Sequence, residues 1–249
     1  RILMRFRELL EANKEALARL VVEEHGKTLE DAIGSVTRGI EVVEFACGIP
    51  HLLKGEFSRD VGAGIDCASM REPLGVCAGV SPFNFPAMVP LWMFPLAIAC
   101  GNAFIMKPSE KVPSCAVRLA GLLAEAGLPP GVVNLVSGPG RVVGEAIAGH
   151  PDIDLVSFTG SNGAGVRVGE LAGRALSKVT LELGGKSANV VLDDANLTAA
   201  VKVGVANAFL NGGQTCMAWT RMLVPQASYA EALDIAAAAA AKFTVGDPT

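Results

Sequence analysis

Residues 155–183 read LVSFTGSNGAGVRVGELAGRALSKVTLEL. The apolar run Leu155 to Phe158 predicts a strand, the spacing from about Gly163 to Ala175 predicts a helix, and Val179 to Leu183 predicts a second strand. The loop between the first strand and the helix is Gly160-Ser161-Asn162-Gly163-Ala164-Gly165. Such a loop turns backbone N–H groups and a helix N-terminus toward one point, a setting that suits an anion. It is not the G-x-G-x-x-G fingerprint, and a plain strand-to-helix turn explains it equally well.

The same rhythm extends back to Pro73. Gly75 to Val80 is strand-like, a helix starts at Pro86, and Ala103 to Met106 is a strand. Then come helix Ser114 to Ala126, strand Val132 to Val136 and helix Arg141 to Ala148. Repeated β-α-β units with short connections predict an α/β fold, a Rossmann-like parallel sheet with helices on both faces.

The flanks read differently. Arg1 to Glu24 predicts one amphipathic helix, and Thr28 to Cys47 a second, loosened by Gly34 and Gly39. Leu52 to Arg71, broken by Gly, Ser and charges, predicts an irregular hairpin or extension. Past the sheet, Ala188 to Leu192 is a strand, Asp193-Asp194-Ala195-Asn196 caps a helix reaching Phe209, and Tyr229 to Lys242 is helical. We expect residues 1–185 to form a dinucleotide-binding domain and 186–249 the first part of a second α/β domain. Arg1 opens inside a helix and Thr249 closely follows one, so we expect a piece of a longer protein.

Composition narrows the classes. An apolar fraction of 51% with only 5% aromatics suits tightly packed parallel strands. A net charge of −4 offers no basic footprint for nucleic acid. Six cysteines without a C-x-x-C pair and three scattered histidines argue against a metal and for a reducing cytoplasm. The greasiest stretch, Pro86 to Cys100, is too short to cross a membrane and predicts a buried helix kinked near Pro95.

In parallel sheets, ligands gather at the carboxyl ends of the strands, and there this sequence carries its polar residues. Lys107-Pro108-Ser109-Glu110 ends one strand; a lysine and a carboxylate there can bind two ribose hydroxyls. The carboxylate would repel a 2′-phosphate, which favours NAD over NADP. Asn84, in Ser81-Pro82-Phe83-Asn84-Phe85-Pro86, offers an amide for an oxyanion or a helix cap. Glu182, among apolar neighbours, suits proton abstraction from water, or else is an edge glutamate in solvent. Beyond the sheet, Asn211-Gly212-Gly213-Gln214-Thr215-Cys216 leaves a thiol uncrowded. A thiol attacks only as thiolate, which a nearby helix N-terminus would favour. Taken alone, Cys216 could equally be a small buried apolar residue.

Together, P-F-N-F-P, K-P-S-E, G-P-G, F-T-G-S, L-E-L-G-G-K and G-Q-T-C in this order resemble the aldehyde dehydrogenase superfamily, over nearly the whole chain. The resemblance implies Cys216 as nucleophile, Glu182 as general base, and Asn84 with the Cys216 N–H as oxyanion donors. It implies NAD, with Lys107 and Glu110 as the adenosine-ribose contacts, Ser161 as a pyrophosphate ligand and the adenine near Gly138 to Gly140. Ser109, Gly140, Gly160, Phe158 and Leu183 complete the implied cofactor site. It also implies that 55–72 is an oligomerisation extension, hence a homo-oligomer, and that the substrate is an aldehyde.

Two departures follow. Phe83 to Phe94 is most similar to methylmalonate-semialdehyde dehydrogenases, which pass the acyl group to coenzyme A. Glu182-Leu183-Gly184-Gly185-Lys186 is similar to hydrolytic members instead, and we weigh water as the acceptor first. The family's later E-x-F-G-P glutamate is not in these residues. A non-catalytic dinucleotide-binding module is therefore the alternative of another class.

Overall fold

The computed structural model describes residues 1–248. Helices α1 (Ile2–Ala12), α2 (Lys14–His25) and α3 (Leu29–Cys47) come first, with a short turn α4 (Ile49–Leu52). The single helix expected over Arg1 to Glu24 is thus two. The break falls at Asn13, whose side chain donates to the Leu9 carbonyl at 2.8 Å while its Oδ1 accepts from Arg118 at 2.8 Å. An asparagine that bonds local backbone competes with the helix ladder. At α3, Thr28 accepts the Asp31 N–H as the cap.

The stretch read as an irregular hairpin or extension is an antiparallel hairpin, β1 (Phe57–Gly62) and β2 (Ile65–Ala68), with an irregular register between Ser58 and Gly62. The sheet then unfolds along the chain as β3 (Val76–Val80), α5 (Met88–Ala99), β4 (Ala103–Lys107), α6 (Ser114–Glu125) and β5 (Val133–Leu135). It continues through a π-helical turn over Gly140–Gly144 into the short α7 (Glu145–Ala148), then β6 (Leu155–Gly160), α8 (Asn162–Ala175) and β7 (Lys178–Leu183). Where a regular helix was expected from Arg141, the first turn, Gly140–Gly144, is π-helical.

The five strands are parallel in the order β5-β4-β3-β6-β7. Alternating residues face opposite layers, as a pleated strand requires. Cys77, Phe104 and Met106 join Phe6, Leu10, Leu17, Val36, Phe94 and Leu119 in the core under α1, α2, α3, α5 and α6. Ala78, Val80, Val156 and Phe158 pack under Ile147 and Val168 on the other face. At β3, β4 and β6 both faces are largely covered, which is why these strands read as apolar runs. Glycines permit the closest approaches: a Cβ on Gly39 would lie 2.6 Å from Leu91, and one on Gly79 2.5 Å from the Phe104 ring.

A second group follows: β8 (Ala188–Val190) pairs in parallel with β9 (Arg221–Leu223), beside α9 (Leu197–Phe209) and α10 (Tyr229–Ala240). Val201, Val205, Ala232 and Ala239 form its own small core. Asn196 caps α9 through the Ala199 N–H at 3.0 Å, as the sequence suggests. Among the described residues no helix is long and apolar enough to cross a membrane.

Candidate active site

The chain order reverses direction between β3 and β6, so their carboxyl ends open a crevice at the topological switch point. Register aligns those ends: Val80 lies opposite Lys107 and Phe158, and Gly160 opposite Leu183. Every polar motif at a strand end therefore emerges on one rim.

The cysteine loop reaches this rim from the second group. After α9 the chain makes a 3₁₀ turn, Leu210–Gly213, in which Asn211, Gly212 and Gly213 have φ of 59°, 63° and 73°. Left-handed backbone suits glycine and is tolerated by asparagine. Asn211 is 3% exposed, and its main-chain N–H donates to Asp31 at 3.1 Å. Its side-chain amide donates to the carbonyls of Gln214 at 3.0 Å and Asn84 at 3.2 Å. Thr215 Oγ1 donates to the Leu210 carbonyl at 3.4 Å, and Cys216 beyond it is exposed as a free thiol. The loop follows the C-terminal end of α9, so the helix N-terminus expected beside the thiol is not that of its own helix.

Asn84 comes from the turn between β3 and α5. Its Nδ2 donates to the Gln214 carbonyl at 2.8 Å. A carbonyl only accepts, so this contact orients the amide nitrogen toward the cysteine loop and leaves its second N–H for another acceptor. The Asn84 carbonyl is held in turn by Lys27 Nζ at 2.7 Å. Lys27 is 1% exposed and lies 4.3 Å from the Phe85 ring centroid. Burial first of all pulls its pKa down from 10.5 to about 8, with Asp31 opposing.

For Glu182 the structure takes the second of the two readings, the edge glutamate in solvent. It lies on β7, the edge strand, and its side chain is exposed, without the apolar enclosure its neighbours suggest. Among the described residues its carboxylate has no hydrogen-bond or ion-pair partner. The strand exit does lead to the cysteine: a Cβ on Gly185 would lie 3.4 Å from the Cys216 carbonyl oxygen.

A second cluster forms where β4 and β5 end. Lys107 is 1% exposed and its Nζ donates to the Pro108 carbonyl at 2.8 Å and to Glu110 at 3.2 Å. The other Glu110 oxygen accepts the Gly140 N–H at 3.4 Å. Its own backbone N–H, then Lys107, hold the Glu110 carboxyl below the usual range. Ser109 Oγ accepts the Lys111 N–H at 3.3 Å. At the head of α8, Ser161 caps the helix through the Ala164 N–H at 3.3 Å. Leu183 packs over Gly165, where a Cβ would lie 2.4 Å away, and the buried Phe158 ring underlies Gly160. Phe158 and Leu183 thus shape the loop through packing. Among the described residues no group of three or more His, Cys, Asp or Glu is placed to hold a metal.

The sequence model described as "Aldehyde dehydrogenase family" matches residues 1–249. This chain belongs to the aldehyde dehydrogenase family.

The aldehyde dehydrogenase chain is 49% identical over 218 residues to the acylating, mitochondrial methylmalonate-semialdehyde dehydrogenase of Arabidopsis thaliana, covering 88% of itself and 36% of that protein. It is 51% identical over 218 residues to malonate-semialdehyde dehydrogenase 3 of Geobacillus kaustophilus, covering 88% and 45%. Among solved structures, a Sinorhizobium meliloti protein described as a methylmalonate-semialdehyde dehydrogenase complexed with NAD superposes with a TM-score of 0.95 at 42% identity, over 100% of this chain and 50% of that one. Aldehyde dehydrogenase C of Pseudomonas syringae, solved as a variant with NAD⁺ and octanal, superposes at 0.92 and 42% identity, over 99% and 50%. The chain spans about half the length of these relatives or less.

Two residues of the candidate site went unread in the sequence. In the sequence, His25-Gly26-Lys27 follows the first helical stretch and has the pattern of a helix stop, and Asn211 is a small polar neighbour of the thiol. For Asn211 a signal existed, since asparagine before two glycines invites left-handed backbone. Lys27 carried none, because its partner lies 57 residues away.

Proposed function

We propose that this chain is the cofactor- and cysteine-bearing part of an NAD-dependent aldehyde dehydrogenase that oxidises an aldehyde through a thioester on Cys216. The observation that carries the reading is the exposed Cys216 loop bonded, through Gln214, to the amide of Asn84 at 2.8 Å. The Cys216 sulfur forms a bond to the aldehyde carbon, and the carbonyl electrons move to oxygen. The free N–H of Asn84 and the Cys216 main-chain N–H are the donors for that oxygen; one such donor contributes about 3 kcal/mol in known cases. NAD, when bound, supplies the acceptor for the hydride that leaves the carbon as the thioester forms.

The cluster fits that cofactor. Glu110, fixed by Lys107 and Gly140, presents a carboxylate to ribose hydroxyls and disfavours a 2′-phosphate. Ser161 and the head of α8 suit the pyrophosphate. In this reading residues 1–185 form the NAD-binding domain and 186–249 open the catalytic domain. The hairpin residues Phe57, Val61 and Ile65, between 58% and 63% exposed, support contact between copies in the whole enzyme. Six unpaired cysteines support a reducing compartment.

For the acyl acceptor, the retained Glu182 supports water, from which its carboxylate takes a proton as the acid forms. A second reading has its own observation: relatives at 46–51% identity bear (methyl)malonate-semialdehyde names, several marked acylating. There a coenzyme A thiolate displaces Cys216, and no water-activating base is needed. The full-length enzyme should be assayed with NAD and malonate semialdehyde, with and without coenzyme A. Free acid at an unchanged rate supports hydrolysis, and a coenzyme A-dependent acyl thioester supports transfer. No NADH in either assay, with propanal and octanal also inert, defeats the proposed activity.

A further inference from the structure

Lys27 is among the largest fully buried side chains and makes no ion pair among the described residues. An ammonium out of water without a carboxylate on it is costly, and an apolar side chain would fill the same space at lower cost. The position of its nitrogen suggests what offsets that cost. Nζ donates at 2.7 Å to the main-chain oxygen of Asn84 and rests 4.3 Å from the Phe85 ring centroid. The nearby carboxylate, Asp31, is occupied elsewhere, accepting the Asn211 N–H at 3.1 Å. Asn211 returns to the same Asn84 oxygen at 3.2 Å and to the Gln214 oxygen at 3.0 Å.

Lys27 and Asn211 therefore grip one carbonyl, and Asn211 also grips the acceptor of the Asn84 amide. The two main-chain oxygens that fix where Asn84 points are both held by buried side chains. A charged donor holds a carbonyl more firmly than a neutral one. Donors to a developing oxyanion work only if they are held in place before the charge appears.

We propose that Lys27 is a positioning residue for aldehyde oxidation: through the Asn84 carbonyl it fixes the amide that receives the substrate's oxyanion. The proposal rests on the role given to Asn84 above.

The test is a double-mutant cycle in the full-length enzyme, reading NADH formation from aldehyde with Lys27→Met, Asn84→Ala and the pair. Each single change should lower kcat about tenfold or more with KM for NAD within twofold, since catalysis and not cofactor binding is disturbed. The pair should be no more than about threefold slower than Asn84→Ala alone, because Lys27 acts through that amide. Losses that multiply in the pair overturn the proposal, since they mean Lys27 supports the fold in general. So does full activity in Lys27→Met. If Asn84→Ala is itself fully active, the site reading fails and the proposal falls with it. Lys27→Gln, which loses the charge but keeps a donor, replaces Lys27→Met should the latter not fold, and the same pattern is expected of it.

Discussion

The Asn84 side-chain amide and the Gln214 carbonyl meet at 2.8 Å across 130 residues of chain. This bond joins the end of a sheet strand to a loop of the second group, two residues before the exposed thiol. The chemistry proposed for the chain depends on that junction.

Cys216→Ala in the full-length enzyme should leave aldehyde oxidation at least ~10³-fold slower, because no other group can form the thioester. NAD affinity, followed by fluorescence titration of NADH, should change less than about twofold. Turnover within tenfold of wild type would remove Cys216 from the reaction.

Glu182→Gln separates the two acceptors. If water is the acceptor, acid formation should fall by roughly 10²-fold or more, the usual weight of a general base. If coenzyme A is the acceptor, thioester formation should stay within about threefold, since displacement by a thiolate needs no such base. Product analysis of both reactions decides between them.

Lys107→Met should raise KM for NAD about tenfold, or ~1.4 kcal/mol, with kcat within twofold, by freeing the Glu110 carboxylate from its anchor. Glu110 carries a lowered pKa, so on its account NAD affinity should be flat from neutral pH down to the ordinary carboxylate range. Loss is expected only below that range, as the carboxylate takes up a proton. An affinity titrating near pH 6 would contradict this assignment.

His25 sets a pH dependence of stability. Burial, then the Lys27 charge, lowers its pKa from 6.5 to about 4, against the pull of Asp31. Both ring nitrogens are buried without a partner. Between those values the unfolded chain binds a proton that the folded chain refuses, so acidification from pH 6.5 through 4 destabilises the fold. His25→Phe keeps the stacking on Phe83, whose ring lies 6.1 Å away between centroids, and should remove that slope from urea unfolding curves. An identical slope in both proteins would refute the assignment.

Gly79→Ala should destabilise the fold by about 1–3 kcal/mol, the usual cost of overpacking a core. The new methyl would lie 2.5 Å from the Phe104 ring and 2.8 Å from Met93 sulfur, and Phe104 is only 2% exposed. Calorimetry of the variant reads this directly, and an unchanged Tm would show that the core yields there.

Sequence by itself determined the elements and the motif order. Strands such as Val76–Val80 and Leu155–Gly160, and helices such as α8, announce themselves through periodicity and caps, which are local properties. The polar residues after the strands, Asn84, Lys107 to Glu110 and Glu182, are equally legible, because parallel strands that run the same way end on one rim. The tertiary structure alone decided the rest. It put β6 beside β3, broke the first helix at Asn13, left Glu182 exposed on the edge strand, and buried Lys27 against Asn84. The break at Asn13 also has a local cause, its bond to the Leu9 carbonyl, and for Glu182 the sequence offers both an enclosed and an exposed reading. The other choices follow from which distant surfaces meet when the apolar faces close. A lysine at a helix stop and a lysine gripping a distant carbonyl have the same neighbours in sequence, and only packing tells them apart.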